Sequence, residues 1–326
     1  MKKCIFIIPY FGKFNNYFSF FLESCAKNPD FDWLIFTDDR REFPYPNNVH
    51  VKYCCFSDIV DLIHRKIDSH AKVEKPYKLC DYKPTYGYLF ENYVKDYFMW
   101  GYCDLDLIWG DISKWITEDI LNRYDKIGVS GHCTLIRNTQ EHNRLFFKNL
   151  ENDTPYKKVF SSNESKHFDE EHRGGINNIF EYYGYKLYTN LKPADVYVKS
   201  SDFLCCHYVG DNKYNVEKKN PGVFVWDNGV LNRYYINQNK LVLDEYMYIH
   251  LQKRKMKICI SDICKLYKII PNSFENVEAY PITLENYKQI RLKYWNWQFI
   301  SIRYRFFLEK VTRWAKFSRK FILGKE

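Results

Sequence analysis

Uninterrupted apolar runs at three places constrain the fold of this chain more than any other feature. Cys4–Ile8 is continuously apolar, is rich in β-branched residues and stops at Pro9. A short run without polar alternation is typical of a strand that is buried on both faces. Asp32–Thr37 and Asp96–Asp106 predict two further strands of this kind. Because parallel strands are covered on both sides, the runs indicate a mainly parallel sheet with helices on both faces.

The segments between and after these strands complete the predicted order of elements. Their spacing predicts helices at Tyr17–Ala26, Ile59–His70, Thr85–Val94 and Gly175–Tyr183, and strands at Val49–Cys54 and, broken by Gly131, at Ile127–Ile136. Val223–His250 alternates around Asp227-Asn228-Gly229, which indicates a hairpin. We therefore predict an α/β fold with a mixed, mainly parallel central sheet flanked by helices, and with an antiparallel extension. Residues 1–285 are expected to form one domain and residues 286–326 a basic helical tail.

The basic residues are concentrated in that tail. The net charge is +9, and the segment from Lys288 to Glu326 contains eleven Lys or Arg against two acids. The rest of the chain is neutral, which argues against a body that binds nucleic acid. At about 100° per residue, a helical tail places most of its basic side chains opposite an apolar face. This pattern predicts a helix lying on an anionic membrane; a packing helix with a solvated basic side is the alternative.

The cysteines and the apolar segments predict where the protein acts. The 11 cysteines are odd in number and scattered, without a C-x-x-C motif, which favours reduced thiols in a cytoplasm. Pro9 interrupts the apolar start, and no run approaches the roughly 18 apolar residues of a spanning helix. We expect a cytoplasmic protein that is peripheral at the inner face of the cell membrane.

Asp104 and Asp106 are the candidate metal ligands. They flank Leu105 after the apolar segment, and in an extended chain both carboxylates face the same side. Mg²⁺ or Mn²⁺ prefers such carboxylates together with the phosphate oxygens of a substrate. The cation would act as a Lewis acid that neutralises a departing diphosphate. Two solvated surface acids are the alternative interpretation.

Polar residues follow two other predicted strands. Tyr10 comes after the first strand and Asp38-Asp39 after the second. Ligands of open α/β sheets bind beyond the carboxyl ends of the strands. We therefore expect Tyr10 and either Asp38 or Asp39 to hold a nucleoside.

Two segments offer lysines for a diphosphate. Lys78, Asp81 and Lys83 lie in a stretch of charges and aromatics, where Asp81 is a candidate for a sugar hydroxyl and the lysines for phosphate. As an ordinary start of a helix, this stretch would need only Asp81 as N-cap. Further along, His250 is a candidate third metal ligand. Lys253 and Lys255 follow it as diphosphate donors, unless the segment is only an exposed basic turn.

Asp169 and Glu170 are the candidate catalytic acids. They precede the pair Gly174-Gly175, and either carboxylate is suited to act as a general base for an acceptor hydroxyl or to position a donor sugar. Acids that only favour a helix N-terminus are the alternative. For Ser130-Gly131-His132 we favour a core turn over a substrate contact.

With these residues identified, the chain resembles a family of bacterial polysaccharide glycosyltransferases of the nucleotide-diphospho-sugar (GT-A) type, found in capsule and O-antigen gene clusters. The resemblance spans about residues 3 to 275 and rests on the segments IIPYFG, LIFTDD, KPYKLCDYKP, WGYCDLDLIWGD, FDEEHRGGINNIF and YMYIHLQKRKM. It implies metal-dependent transfer of a sugar from a nucleotide-diphosphate donor, with a UDP-sugar expected, to a glycan or lipid-linked acceptor.

More distantly, the motif order is similar to that of retaining enzymes of the glycogenin and lipopolysaccharide-galactosyltransferase type. This resemblance implies Asp104, Asp106 and His250 as metal ligands and Asp169 at the sugar. The chain departs from that group by having Glu170 where Gln is usual, and by lacking the glycine and Lys-Pro-Trp that follow the histidine. Retention of configuration is preferred, and an inverting enzyme with Asp169 or Glu170 as base stays open.

Two other functions use the same residues differently. A metal-dependent phosphodiesterase or nuclease would use the acids on a polyanion, but it would normally need further ligands for two metals. A non-catalytic membrane adaptor would use the tail and keep the sheet as a scaffold.

Overall fold

A computed structural model describes residues 2–170, 174–198, 200–209, 214–218, 222–260, 262–291, 300–301, 303–305, 307–308, 310–312 and 314. These residues form two compact units. The first comprises the described residues of Met1–Ala194, Tyr208–Asn215 and Tyr246–His250. The second comprises those of Asp195–His207, Val216–Glu245 and Leu251–Glu326.

Strands and helices alternate in the first half of the chain, and strands dominate the second. The strands are β1 (Lys2–Pro9), β2 (Phe31–Thr37), β3 (Val49–Tyr53), β4 (Tyr97–Cys103), β5 (Leu107–Trp109), β6 (Lys126–Ser130), β7 (Cys133–Arg137), β8 (Leu187–Tyr188), β9 (Pro193–Val196), β10 (Cys205–Tyr208), β11 (Tyr214–Val216), β12 (Val223–Asp227), β13 (Val230–Asn237), β14 (Lys240–Tyr246), β15 (Tyr248–His250), β16 (Lys257–Cys259), β17 (Leu266–Ile270) and β18 (Ser273–Glu275). The α-helices are α1 (Phe18–Ala26), α2 (Phe56–Lys66), α3 (Tyr86–Leu89), α4 (Glu91–Val94), α5 (Glu118–Arg123), α6 (Pro155–Phe160), α7 (Ile176–Tyr182) and α8 (Tyr287–Ile290). Two 3-10 helices span Pro76–Thr85 and His142–Phe147.

The first unit is built on a seven-stranded sheet with the order β3-β2-β1-β4-β7-β6-β8. The pairs β3/β2, β2/β1, β1/β4 and β6/β8 are parallel, whereas β7 is antiparallel to β4 and β6. A mixed α/β fold with mainly parallel pairing in this sheet is therefore confirmed.

Strand β1 shows why its sequence has no polar alternation. Ile5 and Ile7 face one hydrophobic core, and Cys4, Phe6 and Ile8 face a second core on the other side of the sheet. Helices α2 and α7 cover the first core, and α1 and α5 cover the second. Burying a large apolar side chain contributes about 1.5–3 kcal/mol, so a polar residue on either face of β1 would cost stability.

Two predicted elements differ from the observed ones. The strand predicted over Asp96–Asp106 ends at Cys103, and the chain turns at Leu105 and Asp106 before β5. The helix predicted over Thr85–Val94 is instead divided into α3 and α4, preceded by the 3-10 helix Pro76–Thr85. Pro84 lies inside that 3-10 helix, where it has no N–H to donate and disfavours a continuous α-helix.

The second unit contains a six-stranded sheet with the order β14-β13-β12-β17-β18-β16. The predicted hairpin is confirmed, because β12 and β13 pair antiparallel on either side of Asn228-Gly229. Asn228 has φ of 46° and Gly229 of 99°, the positive values that a two-residue hairpin turn requires.

The predicted tail is only partly described. Residues 292–299 and 315–326, with 302, 306, 309 and 313, lie outside the described residues. The described residues between 300 and 314 are helical, and their large apolar side chains are exposed: Ile300, Tyr304, Phe307, Leu308, Val311 and Trp314. Among the described residues, no helix combines the length and the apolar character needed to cross a bilayer.

Candidate metal centre

The polar residues predicted to converge do lie at one edge of the seven-stranded sheet. Tyr10, Asp38 and Asp104 each follow a strand of the parallel set β1, β2 and β4. Parallel neighbours end on the same side, so the three strand ends share an edge. The backbone N–H of Gly12 donates to Asp38 Oδ1 at 2.7 Å, which ties the loops after β1 and β2 together.

A strand from much later in the chain brings His250 to this edge. β5 begins directly after Asp106 and pairs antiparallel with β15, with Leu107 opposite His250. His250 Nε2 lies 3.4 Å from Asp106 Oδ1 and 3.9 Å from Asp104 Oδ2. One ligand atom from each of these three residues lies within 4.8 Å of the other two. Asp106 and His250 are buried, and Asp104 is partly exposed.

The two carboxylates come together by another route than the sequence suggests. An extended chain was expected to align them, but Leu105 and Asp106 form a turn. Leu105 is buried in the core, and its carbonyl oxygen accepts a hydrogen bond from Asn15 Nδ2 at 3.1 Å. Asp104 and Asp106 therefore lie on either side of the anchored Leu105, with their carboxylates near His250.

The donor set fits a divalent cation. In an octahedral site with ligands about 2.1 Å from the ion, adjacent ligand atoms are about 3 Å apart. The observed separations of 3.4 and 3.9 Å therefore close with small side-chain rotations. Carboxylates and imidazole are both ligands of divalent metal ions in proteins. Asp104, Asp106 and His250 are thus a group of side chains that could hold such an ion.

Lys83 connects this cluster to Asp169. Its Nζ donates to Asp104 Oδ1 at 2.8 Å and to the carbonyl oxygen of Gly131 at 2.8 Å, and lies 3.3 Å from Asp169 Oδ2. Burial alone would lower the pKa of Lys83, but the nearby negative charges, chiefly that of Asp104, hold it well above its ordinary value. The ammonium group therefore stays charged between the two carboxylates.

Gly131 allows Asp169 and Glu170 to approach the turn between β6 and β7. A Cβ at Gly131 would lie 2.5 Å from Asp169 Oδ2 and 2.9 Å from Glu170 Cγ. Any larger residue would displace one of these acidic side chains. The break at Gly131 in the predicted strands is thus a close approach between the turn and the candidate catalytic acids.

Asp169 is a buried acid with a perturbed pKa. Burial, opposed by the charge of Lys83 and assisted by those of Glu170 and Asp104, raises its pKa to about 7. Its ordinary value is 3.8. The protonated form of Asp169 is therefore favoured in the folded protein, and the stability that it provides is lost as the pH rises through about 7.

We expect Asp169→Asn to raise the unfolding temperature of the metal-free protein at pH 8, on the order of 5 °C. Asparagine keeps the shape but carries no charge to bury, so the gain is expected to disappear at pH 4, where Asp169 is protonated in wild-type. Thermal unfolding in a chelator at both pH values measures the difference. Equal shifts at the two pH values would contradict the assignment of a raised pKa.

Lys78 and Asp81 form a buried clamp beneath Asp169. Their side chains are 2% and 0% exposed, and Lys78 Nζ donates to Asp81 Oδ2 at 2.7 Å. Asp81 also accepts the backbone N–H groups of Lys166 at 2.9 Å and Phe168 at 3.0 Å. The predicted contacts of Lys78 and Asp81 with the donor find no support in this arrangement, in which they hold the loop before Asp169. Asp81 as an N-cap is wrong, because the 3-10 helix begins at Pro76.

The candidate nucleoside residues differ in how they are engaged. Asp39 is enclosed: Phe14 N–H donates to it at 2.9 Å, and the guanidinium of Arg41, which also bonds to it, holds its pKa well below the usual range. Asp38 is exposed. Tyr10 is half-buried; burial raises its pKa, and the charges of Asp106 and Asp39 raise it further. Tyr10 and Asp38 thus remain at the surface of this edge, whereas Asp39 supports the loop.

Lys253 and Lys255 are exposed residues of the second unit. Gln252 and Lys253 both have φ of 53°, so this turn carries backbone strain. Their role as diphosphate donors stays a prediction.

His132 is a neighbour of the metal centre, although its sequence surroundings favour a core turn. It lies in the turn between β6 and β7, as expected, but its ring centroid is 4.4 Å from that of His250. Its Nδ1 is 3.0 Å from the hydroxyl of Tyr248, on β15. The available signal was a histidine directly after a glycine at a strand break, which did not by itself indicate a neighbour on β15.

Comparison with known proteins places this chain in a family. No curated protein and no solved structure matches it. A family model described as a family of unknown function (DUF6625) matches residues 6–278. Asp104, Asp106, His250, Lys83 and Asp169 all lie within the matched residues, which make up most of the chain. The chain belongs to this family of unknown function, DUF6625.

Proposed function

We propose that this protein is a metal-dependent glycosyltransferase of the GT-A type, acting in bacterial surface-polysaccharide synthesis. It would move a sugar from a nucleotide-diphosphate donor, a UDP-sugar, to a glycan or lipid-linked acceptor. The observation that carries this proposal is the cluster of Asp104, Asp106 and His250 at the carboxyl edge of a mainly parallel sheet.

Each side chain of the centre has a distinct role in this proposal. Asp104, Asp106 and His250 would hold Mn²⁺ or Mg²⁺, and the cation would supply positive charge that stabilises a departing diphosphate. Lys83 orients Asp104 and Asp169 through its two contacts. Tyr10 and Asp38 follow strands that end at the same edge of the sheet and are the proposed contacts of the nucleoside.

Asp169 suits a role in positioning the donor sugar. Its carboxyl group lies 3.3 Å from Lys83 Nζ, which also bonds to Asp104, so its orientation beside the metal ligands is fixed. A carboxylate fixed in this way can accept hydrogen bonds from hydroxyls of a bound sugar. This favours transfer with retention of configuration. Glu170, which is half-buried, is the candidate general base of an inverting reaction.

The tail favours a cytoplasmic protein that is peripheral at the inner membrane face. Six large apolar side chains between Ile300 and Trp314 are exposed, and the longer segment from Lys288 to Glu326 holds the chain's excess of basic residues. An exposed apolar face next to basic charge is typical of helices that lie on anionic lipid. A lipid-linked acceptor would be reached from this position.

Thermal unfolding of the full chain with a panel of nucleotide-sugars tests the proposal. At about 100 times its dissociation constant, a ligand stabilises the fold by about 2.7 kcal/mol, or roughly 4 °C for a chain of this size. We expect UDP-sugars to give this shift with Mn²⁺ and to lose it in a chelator.

Two other results would overturn the proposal. Hydrolysis of DNA or RNA by the purified protein would indicate a phosphodiesterase that uses the same acids. If removal of residues 288–326 abolished activity in cells while Asp104→Asn had no effect, the protein would be a membrane adaptor.

A further inference from the structure

Three side chains with solvent-accessible surface lie on the 3-10 helix Pro76–Thr85 and on the loop before the buried Asp169, which Asp81 ties together. Tyr77 is 56% exposed. His167 Nδ1 lies 3.3 Å from Glu170 Oε2, and the two side chains are 44% and 36% exposed. We call Tyr77, His167 and Glu170 the acceptor rim.

The loop that carries two of these residues is held rigidly. His167 has φ of 53°, a left-handed conformation that is unfavourable for a non-glycine residue and is kept only where the surrounding contacts fix it. The backbone N–H of Glu170 donates to the carbonyl oxygen of His167 at 3.1 Å, which closes a tight turn. Asp81 accepts the N–H groups on both sides of His167, from Lys166 and Phe168. The imidazole and the carboxylate are thus presented in a fixed arrangement, as a binding site requires.

The rim lies next to the candidate metal centre. Glu170 packs against Gly131, whose carbonyl oxygen accepts a hydrogen bond from Lys83. Partial burial raises the pKa of Tyr77, and the negative charges of Glu170, Asp169 and Asp104 raise it further. Tyr77 also belongs to the 3-10 helix Pro76–Thr85, whose Asp81 accepts the backbone N–H groups on either side of His167.

We propose that the acceptor rim binds the terminal sugar of a neutral glycan acceptor. This inference rests on the proposed function and names its acceptor class. The ring of Tyr77 offers an apolar face for the C–H side of a pyranose, with a hydroxyl at its edge. The Glu170 carboxylate and the His167 imidazole accept hydrogen bonds from sugar hydroxyls. An acidic sugar would place its own carboxylate against Glu170, so the rim discriminates against uronic acids.

Ligand-observed NMR on the full chain tests this inference, with Mg²⁺ and UDP present because Mg²⁺ is diamagnetic. The probes are methyl β-D-glucopyranoside, methyl β-D-galactopyranoside, methyl α-D-mannopyranoside and the acidic methyl β-D-glucuronide. We expect at least one neutral glycoside to bind, and Tyr77→Ala to weaken it about tenfold. Tyr77→Phe keeps the ring and is expected to stay within about twofold of wild-type. The glucuronide is expected to bind about tenfold more weakly than the glucoside.

Tyr182→Ala is the matched control. Tyr182 is the last residue of α7, and its exposed fraction of 55% is almost that of Tyr77. The variant therefore removes an equally exposed phenol ring from another part of the surface. The acceptor rim would be overturned if Tyr77→Ala left glycoside binding unchanged or if both variants lost binding equally. It would also be overturned if the glucuronide bound as well as the glucoside, or if UDP bound and no neutral glycoside did. Absence of UDP binding together with Tyr77-dependent glycoside binding would instead support the rim and refute the nucleotide-sugar donor.

Discussion

Replacing Asp106 by alanine is expected to abolish Mn²⁺-dependent binding of UDP and to lower sugar transfer by about 10³-fold or more. Asp106 is buried and lies 3.4 Å from His250, so its loss leaves two ligands, of which one is partly exposed. A Lewis-acid cation contributes several kcal/mol to the stabilisation of a developing charge, and each 1.36 kcal/mol is a factor of ten in rate. Calorimetric titration of UDP with and without Mn²⁺ measures the binding.

Asp111→Ala is the control for this variant. Asp111 is an exposed aspartate shortly after β5. It accepts a long hydrogen bond of 3.4 Å from the backbone N–H of Lys114. Its replacement removes the same charge from the same region and is expected to leave UDP binding unchanged. If Asp106→Ala folds and keeps the wild-type dependence on Mn²⁺, the metal centre is wrongly assigned and the transferase proposal is lost with it.

Replacing Lys78 by methionine is expected to destabilise the fold by about 3–5 kcal/mol. The pair Lys78–Asp81 is almost completely enclosed, and Lys78 Nζ also donates to the carbonyl oxygens of Val159 at 2.9 Å and Glu164 at 2.7 Å. Methionine fills a similar volume but leaves the Asp81 charge buried without its cation. The midpoint of thermal unfolding is expected to fall by about 10 °C.

Lys158→Met makes the same chemical change at the surface. Lys158 Nζ lies 2.7 Å from Asp153 Oδ2, the same distance as in the buried pair, but the two side chains are 72% and 45% exposed. An exposed pair of this kind contributes little, because water solvates both charges when it breaks. Equal unfolding midpoints for Lys78→Met and Lys158→Met would show that the clamp is not the anchor of the loop before Asp169.

The sequence alone determined the elements whose signal is local. β1 was predictable because both of its faces are buried, which requires apolar side chains at every position. The β12–β13 hairpin was predictable because Asn228-Gly229 tolerates the two positive φ values. Asp104 and Asp106 were identified as a candidate pair since they directly follow an apolar strand.

The tertiary structure alone decided which of the candidate residues meet. His250 reaches Asp106 because β15 pairs with β5, and Lys83 reaches Asp169 through the turn at Gly131. The tertiary structure also buries Lys78 and Asp81 as an ion pair, although their sequence surroundings resemble those of Lys83. Contacts between residues far apart along the chain leave no period or spacing in the sequence, because they depend on which strands pair and which side chains are desolvated by that pairing.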